Sequence, residues 1–362
     1  MSKPTIHFAF TVPRGASLAR RAFDKLLNTL HSTPLHRLGI DELIPWQHPL
    51  RSIHAISYHL LHAFKQRGYP VRFYTVYEHS VCHLKPQDIF IGMPLPANGF
   101  GERWLGSDDR ASVTSRTIRK YPRNKNFLIM PYAHDEMYVG WARDIVAQNA
   151  AQGGGTILIG GGKWSKNWDC SPYRDIPFPG LLHVRMGIDH NEHPRVKLHF
   201  NPKGKRRYLY MGHTEWYKNP KELERLAHAL PQFEWLHVGG GRLKGWKKIA
   251  EFISLTPSAM EALAKQADFF VSVSTADPGA TTILEQMCFG LVVACTPETG
   301  YELSSLIPLS TTDTEANIKT LLDLQTVEEA ELLIRASQNR TIAIDQHSWK
   351  QFCDSVLEFM RL

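Results

Sequence analysis

Residues 271–296 read VSVSTADPGATTILEQMCFGLVVACT and contain the clearest folding signal in the chain. An apolar run ends at Ser274, a turn with Pro278 and Gly279 follows, and a helix-periodic segment then leads to Gly290 and a second apolar run. This succession of strand, turn, helix and strand is typical of parallel sheets covered by helices. Because the helix begins after the carboxyl end of a strand, its free N–H groups and the positive end of its dipole predict an anion site there.

The polar residues around this helix start suit a nucleotide. Thr281 and Thr282 add hydroxyl donors to the first turn, and Glu285 lies about 9 Å beyond Gly279 along the helix axis. A ligand laid along the helix would have its phosphates at the tip, a ribose diol near Glu285 and a sugar near Asp277. The alternative is an ordinary strand, turn and helix in which Asp277 caps the helix and Glu285 is solvated.

Apolar runs alternate with helix-periodic segments through most of the 362 residues. Two such sets can be distinguished, separated by an irregular stretch at residues 161–205 that contains five prolines. A chain of this length usually folds into about two domains. We therefore predict an α/β fold with two Rossmann-like parallel-sheet domains, residues 1–200 and 201–345. The segment 346–362 has an apolar stripe, which predicts a docked C-terminal helix.

Composition limits the function without naming it. Apolar residues make up 43% of the chain and charged residues 21%, and the net charge of +7 favours an anionic partner. The basic residues are dispersed and no recognition motif is present, so nucleic acid is not expected. The five cysteines form no CxxC pair, which favours a reducing, cytoplasmic environment over a disulfide framework or a zinc ribbon. No apolar run approaches the roughly 20 residues of a membrane-spanning helix.

Three segments resemble one family. Asp277, Glu285 eight positions later and the following run CFGLVVACTPETGYE look like the acidic pair and glycine-rich segment of the group-1 retaining glycosyltransferases, which have the GT-B fold. The segment YLYMGHTEWYKNPKELERLAHALPQFEWLHVGGG at 208–241 resembles the first strand, basic loop, helix and second strand of that family's donor domain. The segment HVRMGIDHNEHP at 183–194 is similar to the linker before it. With the final helix, these matches cover about a third of the chain.

The resemblance implies a GT-B architecture in which the two domains face each other across a cleft. Residues 1–200 would bind the acceptor, with the helix at 346–362 packed back on them, and residues 201–345 would bind a nucleotide diphosphate sugar. The implied activity is that of a retaining hexosyltransferase, which transfers a sugar to a glycan or glycolipid acceptor in polysaccharide or glycoconjugate synthesis. Neither a cofactor nor a metal is expected.

The family pattern also assigns roles to individual residues. Lys218 stands at the position of the lysine that holds the donor diphosphate, and Asp277 at that of the acid that contacts the transferred sugar. Glu285 would contact the ribose, and the helix start the phosphates or the sugar. The predicted donor-binding residues are Gly212, His213, Lys218, Gly279, Ala280, Thr281, Thr282 and Glu285.

Two departures keep a second function class open. His213 stands where the family usually has arginine, and Asp277 stands where glutamate is commoner. A histidine is neutral over much of the physiological pH range and cannot form a bidentate fork with phosphate. The alternative is a non-catalytic subunit of the same fold that binds a nucleotide sugar or a glycan.

The first half of the chain contains two further candidate site residues, His134 and Gly15. His134 follows the strand predicted at 127–131, at the strand end where ligands collect in open α/β sheets. The family has a histidine near the reacting sugar after the corresponding strand, so we predict that His134 is catalytic together with Asp277 and Lys218; a structural histidine paired with Asp135 is the alternative. Gly15 only loosely resembles the family's glycine loop near the acceptor and the donor phosphate.

Other motifs are weaker. The glycine runs, including residues 239–241, match neither the dinucleotide-binding nor the P-loop pattern and indicate strand-end turns. His79, Cys82 and His83 lack a fourth local ligand, so we predict no metal site. The basic amphipathic segment near residues 14–27 suits either an anionic membrane surface or a solvated helix face. Since the family often uses lipid-linked acceptors, the first possibility would place the protein at the inner face of the membrane.

Overall fold

The computed structural model describes residues 3–10, 26, 54–75, 81–94, 112–130, 136–160, 175–251, 256–277, 279–301 and 304–362. These residues divide into two compact units. The first unit contains the described residues up to Ile159, residues 175–184 and Cys353–Leu362. The second contains Gly160 and Arg185–Phe352.

The first unit is built on a six-stranded sheet in which all strand pairs are parallel. Its strands are β1 (Ile6–Phe10), β2 (Val71–Thr75), β3 (Ile89–Gly92), β4 (Lys125–Met130), β5 (Gly155–Ile159) and β6 (Gly180–Val184). Their spatial order is β2, β1, β3, β4, β5, β6. The described helices of this part of the chain are α1 (His54–Gln66), α2 (Val113–Lys120) and α3 (Glu136–Ala151). Strands β1 and β3 are buried along their whole length, as strands covered on both faces must be.

Local sequence signals fix several of these boundaries. Helix α1 is followed by Gly68, which adopts the left-handed φ of 71° that glycine tolerates. Helix α2 begins after Ser112, whose hydroxyl accepts a hydrogen bond of 3.1 Å from the N–H of Ser115. Strand β6 was not predicted, because the prolines around it indicated an irregular segment; its residues pair with the whole of β5.

The second unit also contains a parallel six-stranded sheet. Its strands are β7 (Tyr208–Met211), β8 (Trp235–Val238), β9 (Lys247–Ala250), β10 (Phe269–Ser272), β11 (Val292–Cys295) and β12 (Ile307–Pro308). Its described helices are α4 (Pro220–Ala229), α5 (Pro257–Gln266), α6 (Thr281–Phe289), α7 (Thr314–Leu324) and α8 (Glu329–Gln346). The spatial order is β12, β11, β10, β7, β8, β9. The strand predicted near 252–255 lies outside the described residues, and β9 was not predicted.

Aromatic side chains form much of the second core. Tyr208 stacks on Trp235 with ring centroids 4.3 Å apart and also contacts Phe269. The Tyr208 hydroxyl donates a 2.6 Å hydrogen bond to the carbonyl of Leu321, so this buried polar group is satisfied. These contacts hold β7, β8, β10 and α7 together.

The last helix, α9 (Trp349–Met360), contributes to both units. Its first residues belong to the second unit, whereas Cys353–Leu362 belong to the first. There, Phe359 contacts Phe127 with centroids 5.8 Å apart, and Lys125 Nζ donates to the carbonyl of Met360 at 2.7 Å. The apolar stripe of this segment is therefore buried.

The entry into the second unit is anchored by a buried ion pair. Lys197 Nζ lies 2.8 Å from Asp268 Oδ1, and both side chains are almost fully buried. Asp268 also accepts hydrogen bonds from the N–H groups of Asn201 and Arg207, both at 2.8 Å. These contacts tie residues 197–207 to the start of β10, within the second unit.

Two six-stranded parallel sheets with helices confirm the predicted α/β fold class. Within the described ranges, no helix combines the length and the apolar character that crossing a bilayer requires.

Replacing Asp268 by alanine should lower the free energy of unfolding by about 3 to 5 kcal/mol, because the buried Lys197 charge would lose its partner. Urea unfolding measures this loss. Glu328→Ala is the control, since Glu328 pairs with Lys203 at an exposed position where ion pairs contribute little. Equal stability of the two variants would contradict the anchoring role of Asp268.

Candidate functional site

The candidate site lies where the strand order of the second sheet reverses. The chain starts at β7, moves outward through β8 and β9, and returns to form β10 on the other side of β7. In open α/β sheets, ligands bind outside the carboxyl ends of the strands at such a reversal. The segments that follow Met211 and Ser272 therefore begin at the same edge, beside each other.

Lys218 and Asp277 meet at this edge. Lys218 ends a one-turn 3₁₀ helix, Trp216–Lys218, and its ammonium group forms an ion pair with Asp277. The two side chains are only 15% and 18% exposed. The carbonyl of Tyr217 in the same turn accepts hydrogen bonds from the N–H and the hydroxyl of Thr275, at 2.7 and 3.2 Å. The structure thus brings together two residues that the sequence predicted to act together.

The turn before α6 is held by the backbone of a neighbouring turn. The N–H of Asp277 donates to the carbonyl of Glu298 at 3.0 Å, and that of Gly279 to the carbonyl of Thr299 at 2.9 Å. Gly279 has φ of 88°, a conformation that other residues rarely adopt. The N-cap of α6 is Ala280, so the interpretation of Asp277 as the cap of this helix is wrong.

No side chain among the described residues caps α6. Its first N–H groups and the positive end of its dipole therefore face the same edge as the Lys218 ammonium group. Ala280 is buried at the helix start, and Thr281 and Thr282 are partly exposed in the first turn. A cation, a helix start and two hydroxyls form an arrangement that suits phosphate groups.

Glu285 is buried on α6, with 3% of its surface exposed. The interpretation of Glu285 as a solvated surface carboxylate is therefore wrong. Its charge acts on Tyr301, whose hydroxyl pKa is raised well above its usual value chiefly by burial and then by Asp277, Cys295 and Glu285. Both predicted acidic residues thus influence one largely buried environment.

The loop that begins at Gly212 is fixed by side chains from the sheet. The Tyr210 hydroxyl donates to the carbonyl of His213 at 2.7 Å, and His237 Nε2 lies 3.2 Å from the carbonyl of Gly212. Burial lowers the pKa of His237, so the ring is neutral near pH 7 and its Nε2–H is the donor to Gly212. The His213 side chain is left exposed at the strand end.

The glycines at 239–241 give this loop its space. Gly239 has φ of 138°, and a Cβ there would lie 2.0 Å from the carbonyl oxygen of Gly212. A Cβ at Gly240 would lie 2.8 Å from His213 Nδ1, and one at Gly241 1.9 Å from the Thr214 hydroxyl. The run is a strand-end turn, as predicted, and its lack of side chains allows the Gly212 loop to pack against it.

Behind the helix start lies a buried histidine. The nearest atom to a Cβ at Gly279 would be Met186 Cβ, at 3.7 Å. The carbonyl of Met186 accepts a 3.1 Å hydrogen bond from His347 Nδ1, and burial lowers the pKa of His347 to about 4. The ring of His347 also packs against Tyr301, with centroids 5.6 Å apart. This packing supports the backbone that precedes α6.

Two of the predicted site residues lie outside the described residues, and three residues of the site were not predicted. His134 and Gly15 lie outside the described residues. Trp216 and Tyr217, which form the turn that carries Lys218, and Thr275, which donates to that turn, were not predicted. The aromatic pair inside a polar strand-end loop was a signal that could have identified Trp216 and Tyr217.

Comparisons with known proteins detect the fold but no close relative. No protein-family model matches the chain, and no curated protein matches it. An α,α-trehalose-phosphate synthase (UDP-forming) from Burkholderia vietnamiensis is similar in structure, with TM-score 0.59 and 10% identity over 99% of this chain and 97% of that chain. Sucrose-phosphate synthase from Thermosynechococcus elongatus is similar with TM-score 0.57 and 12% identity over 99% and 98% of the two chains.

A mutant of S. aureus TarM, solved in complex with Fondaparinux, α-GlcNAc-glycerol and UDP, is similar with TM-score 0.56 and 11% identity. The match covers 77% of this chain and 56% of TarM, so the chain spans little more than half of that protein. At these identities the comparisons show the fold. It is that of the GT-B glycosyltransferases, as predicted.

Gly239→Ala should destabilise the second unit because the new Cβ would collide with the Gly212 carbonyl and strain the backbone. The control is Gly204→Ala, where φ is also positive at 74° but a Cβ meets no described atom within 4 Å. We expect Gly239→Ala to cost about 2 kcal/mol more than the control in thermal unfolding. A smaller cost than that of the control would contradict the packing described for the Gly212 loop.

His347 should make stability depend on pH. Because the unfolded state binds a proton near pH 6.5 and the folded state only near pH 4, stability falls as the pH drops through this window. The loss amounts to about 3 kcal/mol. Urea unfolding at pH 7.5 and pH 4 should show a loss that is smaller by about this amount in His347→Gln than in the wild type. The exposed His228 provides the control variant His228→Gln, and an unchanged pH dependence in His347→Gln would refute the assignment.

Proposed function

We propose that the protein is a glycosyltransferase that transfers a hexose from a nucleotide diphosphate sugar, with retention of anomeric configuration. The observation that carries this proposal is the Lys218–Asp277 pair beside the uncapped start of α6, at the strand-order reversal of the second sheet. A cation and helix N–H groups suit a diphosphate, and a carboxylate suits the hydroxyl groups of a sugar.

The diphosphate would bind between Lys218 and the first turn of α6. The ammonium group supplies a positive charge, and the N–H groups and hydroxyls of Thr281 and Thr282 supply hydrogen bonds. Since Lys218 is paired with Asp277 in the structure, the anion would share or replace that contact. The backbone of Gly279 and Ala280 can approach a phosphate or the sugar closely, because neither carries a long side chain.

The remaining donor contacts follow the same geometry. Asp277 would accept hydrogen bonds from the transferred sugar. Glu285, which lies four residues after Thr281 on α6, would face the ribose. His213 and the backbone of Gly212 lie on the loop beside Lys218, where a protonated imidazole would add charge. The UDP in the TarM complex and the UDP-forming synthase make a sugar conjugate of UDP the first candidate donor.

The proposed reaction is a direct transfer at the sugar C1 atom. The bond between C1 and the diphosphate oxygen breaks with oxocarbenium character, and the acceptor oxygen forms the new bond on the same face. The departing diphosphate takes the acceptor proton, while Lys218 and the α6 N–H groups stabilise its developing charge. His134 is proposed to hydrogen-bond the sugar. This scheme requires neither a metal nor a cofactor.

The proposed acceptor is a glycan or a glycolipid, bound chiefly by residues 1–200, and the product belongs to polysaccharide or glycoconjugate synthesis. The donor domain is proposed to lie within residues 201–345. The net charge of +7 supports contact with an anionic membrane surface from the cytoplasmic side. The basic segment near residues 14–27 is the proposed membrane contact, whereas Gly15 is proposed to lie in a loop near the acceptor and the donor phosphate.

Lys218→Ala should lower turnover by about 10²- to 10³-fold, because it removes one preorganised group that stabilises the leaving charge. It should also abolish the thermal stabilisation by nucleoside diphosphates that ligand binding produces. The measurement is a thermal-shift titration with UDP, GDP, ADP and CMP, followed by donor hydrolysis with the nucleotide sugar of the base that binds. Lys221→Ala is the matched control, because Lys221 is an exposed lysine three residues further along.

The outcomes separate the two function classes. Stabilisation by one nucleotide together with donor hydrolysis supports the transferase. Stabilisation without hydrolysis or transfer to any acceptor preparation identifies the non-catalytic binding subunit instead. No stabilisation by any nucleotide, or equal stabilisation of Lys218→Ala and the wild type, contradicts the donor site.

A further inference from the structure

An exposed aromatic side chain lies beside the ion pair of the candidate site. The indole of Trp216 is 47% exposed, although the residue belongs to the same 3₁₀ turn as Lys218. Burying an aromatic ring stabilises a fold strongly, and this indole leaves much of its surface in water. Tryptophan is enriched at binding surfaces, where a rigid ring contributes a large contact area.

The turn that carries Trp216 is fixed at both ends. Thr275 donates two hydrogen bonds to the carbonyl of Tyr217, and the Tyr217 ring lies edge-on to the indole at 5.8 Å. On the other side, Asn219 adopts a left-handed φ of 54°, and its N–H donates to the carbonyl of Trp216 at 3.0 Å. Helix α4 then begins at Pro220. Because the backbone that carries the indole is held in place, a ligand that stacks on the ring loses little entropy to ordering the turn.

We propose that Trp216 is a stacking platform for a pyranose ring of the acceptor glycan. The proposal rests on the proposed function, because it places the acceptor next to the donor sugar. A pyranose presents an apolar C–H face that packs on an indole, while its hydroxyl groups need polar partners at the edge of the ring. The exposed side chains of His213 and Glu215 lie in the same loop and offer such partners.

The exposed fractions of the side chains indicate that the ligand on Trp216 is the acceptor and not the donor. Lys218 and Asp277 are 15% and 18% exposed, so a ligand that they hold lies deeper than one that rests on Trp216. The second substrate must approach the donor sugar from the solvent side. The nucleobase is a poorer candidate, because the proposed donor runs from Asp277 along α6 toward Glu285.

Charge argues against an anionic membrane as the partner of Trp216. Glu215 immediately precedes the indole and is exposed, and its carboxylate would be repelled by an anionic leaflet. A neutral sugar ring has no such conflict. The platform is therefore assigned to a carbohydrate.

The test uses the full chain on a glycan array in the presence of UDP, with the best glycan then titrated in solution. Trp216→Ala should weaken glycan binding about tenfold, roughly the size of one stacking contact, and Trp216→Phe should retain most of it. Leu322→Ala, an exposed apolar residue on α7, is the control for general surface effects and should bind as the wild type does. Stabilisation by nucleotides should be unchanged in Trp216→Ala.

Three results would overturn the platform. These are the absence of any bound glycan in the wild type, equal glycan binding by Trp216→Ala, and binding to phosphatidylserine vesicles that Trp216→Ala abolishes. Failure of the donor proposal is distinguishable from failure of the platform. If no nucleotide stabilises the wild type but Trp216→Ala still loses glycan binding, the donor site is refuted and the carbohydrate platform stands.

Discussion

The parallel pairing of β7 with β10 is the contact on which the second unit's site depends. It joins the first and the fourth strand of the unit in chain order, and because the two strands are parallel their carboxyl ends emerge at one edge. Since connections between parallel strands are right-handed as a rule, the helices that follow β7 and β10, whose chains run outward in opposite directions, are expected on opposite faces of the sheet. Every candidate donor contact described in the structure follows one of these two strands, either in its loop or in the helix after it.

Hydrogen bonds to backbone carbonyls set the geometry of the site at this edge. Thr275 clamps the turn of Lys218, and the carbonyls of Glu298 and Thr299 hold the turn before α6. The cation and the helix start are thus preorganised, which is the condition under which charge stabilisation is most effective in catalysis. The pairing of Lys218 with Asp277 keeps both charges compensated in the free protein.

The sequence predicted the fold well where its signals are local. Hydrophobic periodicity and the glycines at 68 and 290 located most strands and helices, and Thr256 with Pro257 marked the start of α5, where the Thr256 hydroxyl accepts from Ala259. Strands β6 and β9 escaped prediction, since their identity depends on pairing with distant strands rather than on pattern. The burial of Glu285 and the clamp at Thr275 were also unpredictable, because both depend on contacts between segments far apart in sequence.

A crystal structure of the full chain with the nucleoside diphosphate that stabilises it most would test the central claim directly. The account predicts a diphosphate within hydrogen-bonding distance of Lys218 Nζ and of the N–H groups that open α6, with the ribose toward Glu285. A nucleotide bound at any other edge of the two sheets, with the Lys218–Asp277 pair left undisturbed and without contact to α6, would contradict it.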